Sequence, residues 1–438
     1  MAECRAQVMT GIIISSIIFA VSLYLILSEK LNRVIAGFAG AVLMVTAGLI
    51  FGFYNEKQAV ASIDFNTLGL LFGMMILVSL LEPTGFFQYL AILAGRLSKG
   101  RPVRLLVLLS AITTILSMFL DNVTTVVLIA PVTILICEIL GLSATPFLMA
   151  EALLSDTGGA ATLVGDPPNV LIASAAHLSF NSFLTHALPV VLVAWFSVLL
   201  TLRFIFRKEL GVRPNNALAV LELNPREALD DTVTARRVLI VIAGALTLFF
   251  FEEALHVQPS FIALVAAGIA LVWTRPNIQE TLKRIEWSVL TFFAALFIMI
   301  GGLEQAGVMH HFFMLLSSVR DVSPRLLGVI LIWGTALLSA VVDNIPITIA
   351  IIPVIQELGM SGVNIAPLWW ALVFGAGFGG NGTIIGSTAN VVVASLSERT
   401  RTPITSKLWN RVGLPIMLLT CLIASIFYVI LYPLFASQ

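Results

Sequence analysis

Long apolar runs are the feature that most limits how this chain can fold. A bilayer core about 30 Å thick is crossed by around 20 mostly apolar residues in a helix, and the sequence contains eight runs of this kind. They lie at 11–27, 34–54, 66–82, 185–206, 238–255, 259–274, 288–304 and 412–435. The sequence therefore predicts an all-α integral membrane protein.

The composition agrees with a membrane protein. Of the 438 residues, 59% are hydrophobic and only 11% are charged, whereas a soluble globular chain carries roughly 25% charged residues. This balance excludes a soluble enzyme, a nucleic-acid-binding protein and a disordered scaffold. The three cysteines, Cys4, Cys137 and Cys421, lie far apart in the sequence, so neither a disulfide framework nor a metal site is predicted, and no cofactor is expected.

Four further apolar regions are interrupted by polar residues. Regions 104–140 and 326–359 each contain an Asp-Asn pair, and regions 146–174 and 366–396 each contain a glycine-rich polar run. Backbone that leaves helical geometry inside a membrane must be buried in protein or line a wet cavity. We therefore predict two re-entrant hairpins, each followed by a broken helix.

The interrupted regions repeat within the chain at a constant offset of 221 or 222 residues. A constant register over so long a stretch indicates two copies of one structural unit. The matched pairs include Asp121-Asn122 with Asp343-Asn344, Gly158-Gly159 with Gly379-Gly380, Thr162 with Thr383, Gly165-Asp166 with Gly386-Ser387, and Asn169-Val170 with Asn390-Val391.

The repeat predicts the domain organisation. Residues 1–207 and 236–438 form two membrane repeats of five spans plus one hairpin, joined by a cytoplasmic linker at 208–235, and segments 85–100 and 307–321 are predicted as amphipathic interfacial helices. Five crossings per repeat make the second copy inverted relative to the first, with about ten transmembrane helices in all. Placing both termini outside leaves 20 of the 24 Lys and Arg residues on the inside, as the positive-inside rule requires.

Inverted repeats with discontinuous helices near the membrane midplane are the architecture of secondary transporters. Half-helix ends direct unpaired N–H and C=O groups at the midplane, where they can bind a small solute. The predicted solute ligands are Asn122, Thr124, Thr162, Asn169, Asn344, Asn381, Thr383, Ser387 and Asn390. Intramembrane carboxylates usually mark an ion or proton route, and the coupling candidates are Asp121 and Asp343 first, then Asp166 and Asp156.

Other interpretations of these residues stay open. Asp121 and Asp343 could simply cap the helices that follow them, as Asp commonly does. No Lys or Arg lies in the segments predicted to line the cavity, which counts against a citrate-like polyanion as the solute. A channel and a membrane-embedded protease are the rival classes, although the sequence around Asp166 lacks the first glycine of the protease GxGD pattern.

The motifs resemble the ArsB/NhaD group of the ion transporter superfamily over essentially the whole chain, and the runs from Gly158 to Val170 and from Gly379 to Gly386 are especially similar to the P protein branch. This resemblance implies an exporter of arsenite or antimonite in exchange for protons, in a bacterial inner membrane. A Na⁺/H⁺ antiporter or an anion and dicarboxylate transporter of the same superfamily is the alternative. The expected partners are a small inorganic solute, H⁺ or Na⁺ and lipid, while a soluble ATPase and a homodimer stay open; no nucleic acid is expected.

Overall fold

The computed structural model describes residues 2–28, 31–212, 214, 219–308 and 322–437. Over these residues the chain is helical, with short turns and no strand. Eight of the described helices are long and apolar enough to cross a membrane, judged by length and composition, and five shorter apolar helices accompany them. The predicted all-α membrane fold is confirmed. The helix predicted over 307–321 lies, from residue 309 onward, outside the described residues.

The longer helices form two sets, one before and one after the linker. In the first half they are α1 (Ala2–Leu27), α2 (Arg33–Phe51), α3 (Phe65–Leu81), α4 (Phe86–Ser98), α5 (Pro102–Ser117), α6 (Asn122–Leu140), α7 (Thr145–Gly159), α8 (Pro167–Ala176) and α9 (Phe180–Ile205). In the second half they are α10 (Thr232–Phe250), α11 (Pro259–Thr274), α12 (Trp287–Gln305), α13 (Pro324–Ser339), α14 (Asn344–Met360), α15 (Ala366–Gly379), α16 (Thr388–Ser397) and α17 (Ser406–Ile430).

The two halves interlock through equivalent helices. Helix α2 packs against α12, and α3 packs against α11. When α1–α3 are matched to α10–α12, the two contacts are equivalent. Each one pairs the second helix of one repeat with the third helix of the other. The last spans, α9 and α17, pack against each other. The fold is therefore built from two inverted copies that share one core.

Helices α7 and α15 occupy the centre of the molecule. Every residue of α7 is buried, and so is every residue of α15 after Ala366. A helix that is covered on all sides lies in the interior of a large protein, whereas α1 and α2 expose large apolar side chains such as Ile17 and Phe38. The two helices that end in the glycine-rich breaks are thus the ones most removed from lipid.

The linker predicted at 208–235 is fastened to the first half where the structure describes it. The backbone N–H of Asp230 donates to the Thr84 carbonyl at 3.0 Å. The 3-10 turn Pro225–Ala228 packs against α4, and Val220 is fully buried. This part of the linker is consequently a docked segment.

Candidate functional site

The two Asp-Asn tips join the helices of each hairpin and begin the second of them. The Asp121 carboxylate accepts the backbone N–H of Thr124 at 2.9 Å, and the Asp343 carboxylate accepts that of Ile345 at 3.2 Å. Both bonds satisfy N–H groups that a helix start leaves without an intrahelical partner. The capping interpretation of both aspartates therefore describes their geometry, and capping leaves further carboxylate lone pairs for other partners.

Each hairpin is attached to the broken helix beside it by the serine before the tip. Ser117 Oγ lies 2.7 Å from the carbonyl of Ser155 in α7 and 2.5 Å from Asn122 Oδ1. At the equivalent place, Ser339 Oγ donates to the carbonyl of Ala376 in α15 at 3.0 Å. The tips are in this way held at a fixed depth against α7 and α15.

The two breaks are fastened by one asparagine each. Asn169 Nδ2 donates to the carbonyls of Gly159 at 3.0 Å and Thr162 at 2.8 Å. Asn390 Nδ2 repeats the arrangement on Gly380 at 2.8 Å and on residue 383 at 3.1 Å. These bonds satisfy carbonyls that a broken helix leaves unpaired. Both asparagines were predicted as solute ligands, and the structure occupies their N–H groups within the breaks.

Two threonines bind the breaks to the hairpin tips in the same symmetric way. Thr162 Oγ1 donates to the Met118 carbonyl, and Thr383 Oγ1 donates to the Ala340 carbonyl. Both threonines were predicted to contact solute. Their hydroxyl protons instead connect each break to the turn that precedes Asp121 or Asp343.

The paired glycines of each break are required by a close backbone approach. A Cβ on Gly165 would lie 2.6 Å from the Gly159 carbonyl oxygen, and a Cβ on Gly386 would lie 2.6 Å from that of Gly380. Real Cβ atoms do not approach backbone oxygens so closely. Only glycine therefore allows the chain to double back and place Asp166 and Ser387 at the starts of α8 and α16.

A cavity of about 260 Å³, here called the central cavity, lies where the two tips meet the two breaks. Its position is the one predicted from the repeats. Seven of the predicted site residues line it, namely Asp121, Asn122, Thr124, Asp166, Asp343, Asn344 and Ser387. The other six do not line it: Asp156, Thr162, Asn169, Asn381, Thr383 and Asn390.

Side-chain hydrogen bonds join the two repeats around this cavity. Asn344 Nδ2 donates to Asp166 Oδ2 at 2.9 Å, so the second tip is bonded to the first break. A second connection runs from Ser387 Oγ, in the second break, to Asp156 Oδ1 in α7, also at 2.9 Å. Behind them, Asn381 Nδ2 donates to Thr157 Oγ1 at 3.1 Å. Any movement of one repeat past the other must break or exchange these bonds.

Asp156 and Asp166 are the most enclosed carboxylates of the site. Their side chains are 1% and 3% exposed, respectively. Asp166 faces the cavity, whereas Asp156 lies behind it and its Oδ2 has no hydrogen-bond partner. A buried carboxylate with an unpaired oxygen is costly unless it is protonated or binds a cation.

Positive charge does reach the central cavity, and the expectation of a cavity without cationic residues is wrong. Arg33 and Arg284 both line it. Arg33 Nη1 lies 2.7 Å from Asp343 Oδ2, which also accepts the Thr388 hydroxyl at 3.0 Å. Arg284 pairs with Glu82 at 3.0 Å.

The sequence pattern does not predict either arginine at the cavity, because neither lies in an interrupted region. Arg33 is the first residue of α2 and Arg284 lies just before α12, so both belong to the ends of intact spans. Their long side chains reach inward from there. The packing of α2 against α12, which brings these ends together, was not readable from the linear sequence.

The central cavity nevertheless carries an excess of acidic groups. Two arginines line it against five carboxylates, which are Asp121, Asp166, Asp343, Glu82 and Glu286. Both arginines already have a carboxylate partner. Across the described residues there is no group of three or more His, Cys, Asp and Glu arranged to hold a metal ion. Chemically, the arrangement suits a proton, a monovalent cation or a small polar solute.

Comparison with known proteins identifies the class to which this architecture belongs. The profile of the citrate transporter family, CitMHS, matches residues 23–375. An "uncharacterized transporter" of Mycobacterium tuberculosis is 38% identical, over 95% of this chain and 97% of its own. The human P protein is 32% identical, over 95% of this chain and 59% of its own length, which agrees with the expected likeness to the P protein.

A solved structure shares the fold. The YdaH transporter of Alcanivorax borkumensis, described as having an unusual topology, superposes with a TM-score of 0.62 over 88% of this chain and 89% of its own, at 18% identity. The finer resemblance to arsenite exporters and Na⁺/H⁺ antiporters stays a prediction, because the matched family is described by citrate. The chain is a multi-pass membrane transporter, not an enzyme, and it belongs to the citrate transporter family.

Proposed function

We propose that this chain is a proton-coupled secondary transporter whose solute and protons use the same central cavity. The observation that carries the proposal is the bond from Asn344 to Asp166. It joins the tip of one repeat to a carboxylate of the other, inside a cavity lined by both tips. Protonation of Asp166 changes what this oxygen can accept and donate, so the proton state and the contact between the repeats are linked.

Asp166 is better placed to carry the proton than Asp343. The carboxylate of Asp343 has three partners, which are the Arg33 guanidinium, the Thr388 hydroxyl and the backbone N–H of Ile345. A proton on this carboxylate would have to displace one of these donors. Asp166 is 3% exposed and has no cationic hydrogen-bond partner within the described part of the chain. Asp156, which is equally enclosed, is the reserve candidate, and Asp121 is a cap that faces the cavity.

For the solute, the proposal is arsenite or antimonite, exported in exchange for protons. Arsenite at neutral pH is mostly an uncharged trihydroxide. The amides of Asn122 and Asn344 and the hydroxyls of Thr124 and Ser387 line the cavity and supply both donors and acceptors for such a molecule. The excess of carboxylates suits a solute without negative charge.

A carboxylate solute is the second candidate, and one observation favours it. Arg33 and Arg284 line the cavity, and a guanidinium binds carboxylates in a bidentate manner. The family description names citrate. For this candidate, each arginine has to exchange Asp343 or Glu82 for the solute. A Na⁺/H⁺ antiporter uses the same acidic cavity without any further solute.

One transport assay separates these candidates. Everted membrane vesicles containing the full chain and energised to be acid inside should accumulate arsenite, because protons leave the lumen as the solute enters. An excess of citrate or Na⁺ should not reduce the uptake. Accumulation of citrate alone would replace arsenite by the carboxylate, whereas Na⁺-dependent loss of the pH gradient with no arsenite uptake would indicate an antiporter. Vesicles carrying Asp166→Asn are the inactive control.

The proposal includes the expected placement in the membrane. Both termini lie outside a bacterial inner membrane, and the central cavity is reached from the cytoplasmic side, since Arg33, Arg284 and Glu82 belong to loops assigned to the inside. Labelling of single cysteines introduced at the two ends of the chain, with a membrane-impermeant reagent applied to intact cells, should modify both. Labelling of one end alone contradicts the inverted five-span repeats, whereas protection of both ends keeps the repeats and reverses the orientation.

A further inference from the structure

A second cavity, of about 500 Å³, lies at the opposite end of the same helices, and we call it the far cavity. It is lined by the start of α3, from Asp64 to Leu70, whereas the central cavity is lined by α3 from Leu71 onward. Helix α8 shows the same division, because the far cavity contacts its end and the central cavity its first residue. The 17 residues of α3 extend about 25 Å, so the cavities approach each other from opposite faces of the membrane.

Only a thin apolar layer separates the two cavities. Leu70 lines the far cavity and its neighbour Leu71 lines the central one. In the first break, Leu163 lines the far cavity and Val164 lines the central one, two residues before Asp166. Leu163 and Val164 are themselves buried. The two cavities therefore come near each other at Leu70–Leu71 and at Leu163–Val164.

The far cavity is acidic. No Lys or Arg is among its lining residues, and its titratable groups are Asp64, His177, Glu252, Glu253 and His256. The Asp64 carboxylate already has hydrogen-bond partners. It caps α3 by accepting the backbone N–H of Asn66 at 2.9 Å, and it accepts the hydroxyls of Thr67 and Ser174. The ligand that fits this lining carries positive charge.

Glu252 differs from the other acidic groups because part of it is buried without a partner. It is 5% exposed, and its Oε1 accepts the backbone N–H of Phe180, at the start of α9, at 2.5 Å. Its Oε2 is buried and has no hydrogen-bond partner among the described residues, although the side chain lines the far cavity. The next residue, Glu253, is exposed to solvent.

The chemistry of Glu252 fits a proton more closely than a metal ion. Burial raises the pKa of Glu252 to about 7. The hydrogen bond from the Phe180 N–H lowers this pKa, and the charge of Glu253 raises it further. A carboxyl group with this pKa exchanges protons readily near neutral pH. In the described part of the chain no three His, Cys, Asp or Glu residues are arranged to bind a metal.

We propose that the far cavity is a proton-loading site, in which Glu252 takes up a proton from the face opposite to the mouth of the central cavity and supplies it towards Asp166. The uptake of a proton by Glu252 stands independently of the solute. Its delivery to Asp166 rests on the proposed function. By the distribution of basic residues, the far cavity faces the outside, where a proton gradient directed inward begins.

The first experiment measures the protonation of Glu252 directly. Infrared spectra of the purified full chain are recorded across pH, and the carboxylic acid C=O stretch is followed for the native protein, Glu252→Gln and Glu253→Gln. We expect a band with a midpoint near the value of about 7 that is lost in Glu252→Gln and kept in Glu253→Gln. Gln can still accept the N–H of Phe180 through its amide oxygen. If Glu252 had only a structural role, the spectra of Glu252→Gln and the native protein should therefore agree across pH.

The second experiment measures delivery. In proteoliposomes, proton-coupled flux should depend on the pH of the far-cavity side, and Glu252→Gln should lower its maximum at least about tenfold. Glu253→Gln should keep the maximum and move the pH profile slightly to lower pH, because the charge of Glu253 raises the pKa of Glu252. Persistence of the titrating band in Glu252→Gln overturns proton uptake at this residue. An unchanged flux profile in a Glu252→Gln protein that has lost the band overturns delivery. Absence of proton-coupled flux in the native protein overturns the proposed function and leaves the infrared result to decide uptake by itself.

Discussion

The centres of the two repeats are alike in their backbone bonds and unlike in their charges. Asn169 and Asn390 each tie a broken helix together through two carbonyls. Thr162 and Thr383 each connect a break to a hairpin tip. Each repeat thus contains the same three hydrogen bonds at the repeat offset, which is what a geometry required by the fold in both orientations would produce.

The carboxylates do not recur in this way. Asp166 is matched by Ser387, and Asp156 is matched by Gly377, 221 residues later. The one aspartate present in both copies is the capping residue at the tip, and its second copy, Asp343, is paired with an arginine from the first repeat. The residues that both repeats keep are therefore those that shape the breaks, while the enclosed carboxylates next to the central cavity, Asp156 and Asp166, belong to the first repeat.

The largest effect should come from replacing the carboxylate that has no counterpart. Asp166→Asn retains an oxygen that can accept the Asn344 N–H but cannot bind and release a proton. We expect proton-coupled transport to fall by about 100-fold or more, the range for losing a proton-transferring group. Flux in proteoliposomes under a pH gradient measures it.

The matched control is the equivalent residue of the other repeat. Ser387→Ala removes one hydrogen bond to Asp156, which should lower transport by less than about tenfold. If Asp166→Asn and Ser387→Ala lose equal amounts of proton-coupled transport, the two positions do not differ in function, and the proposed difference between the two breaks is wrong.

Substitution of the matched asparagines in the two breaks should have an effect of intermediate size. Asn169→Ala and Asn390→Ala each leave two buried carbonyls of a break without their donor, and each unpaired group costs about 1–3 kcal/mol. We expect each substitution to lower the free energy of unfolding in detergent by about 2 kcal/mol or more, and the two values to agree within about 1 kcal/mol. Denaturant titration monitored by tryptophan fluorescence provides both numbers.

A different outcome would identify these asparagines as solute ligands. If either variant is as stable as the native protein but has a raised KM for its solute, the side chain contacts the solute during transport, as the sequence analysis predicted. Asn381 offers a comparison, since its Nδ2 bonds to Thr157 across the repeats and not to a break carbonyl.

The sequence predicted the parts of the site that depend on local pattern. Helix breaks are readable because Gly-Gly runs and Asp-Asn pairs interrupt apolar segments, and the repeat offset pairs Asp121 with Asp343 without any coordinates. The convergence of both tips on one cavity follows from the inverted repeat, and the structure has it.

The parts that were missed depend on side-chain direction. An asparagine in a break can face a cavity or bond backward to its own carbonyls, and the spacing of Asn169 and Asn390 is the same in either case. Arg33 enters the cavity because α2 packs against α12, a contact between residues far apart in the sequence. The acidic far cavity is likewise formed by α3, α8 and the loop after α10. No single stretch of the sequence therefore predicts it.

The smallest effect should come from the ion pair that crosses between the repeats. The Arg33 and Asp343 side chains are 34% and 16% exposed, so water weakens their attraction and the pair contributes modestly. Under the proposed function Arg33 only neutralises Asp343. Arg33→Gln should then raise the KM for arsenite about threefold, which is within the range of an exposed pair.

The double substitution distinguishes neutralisation from solute binding. Adding Asp343→Asn removes the carboxylate that Arg33→Gln leaves unpaired, so the doubly substituted protein should transport arsenite like Asp343→Asn alone, as KM and maximal flux in proteoliposomes will show. If Arg33 instead binds a carboxylate solute, Arg33→Gln weakens citrate transport about tenfold and Asp343→Asn does not restore it, because the missing partner is then the guanidinium itself. That result would make the arginine from the first repeat a solute ligand, and the second repeat would contribute a charged switch after all, since Asp343 must release Arg33 each time the solute enters.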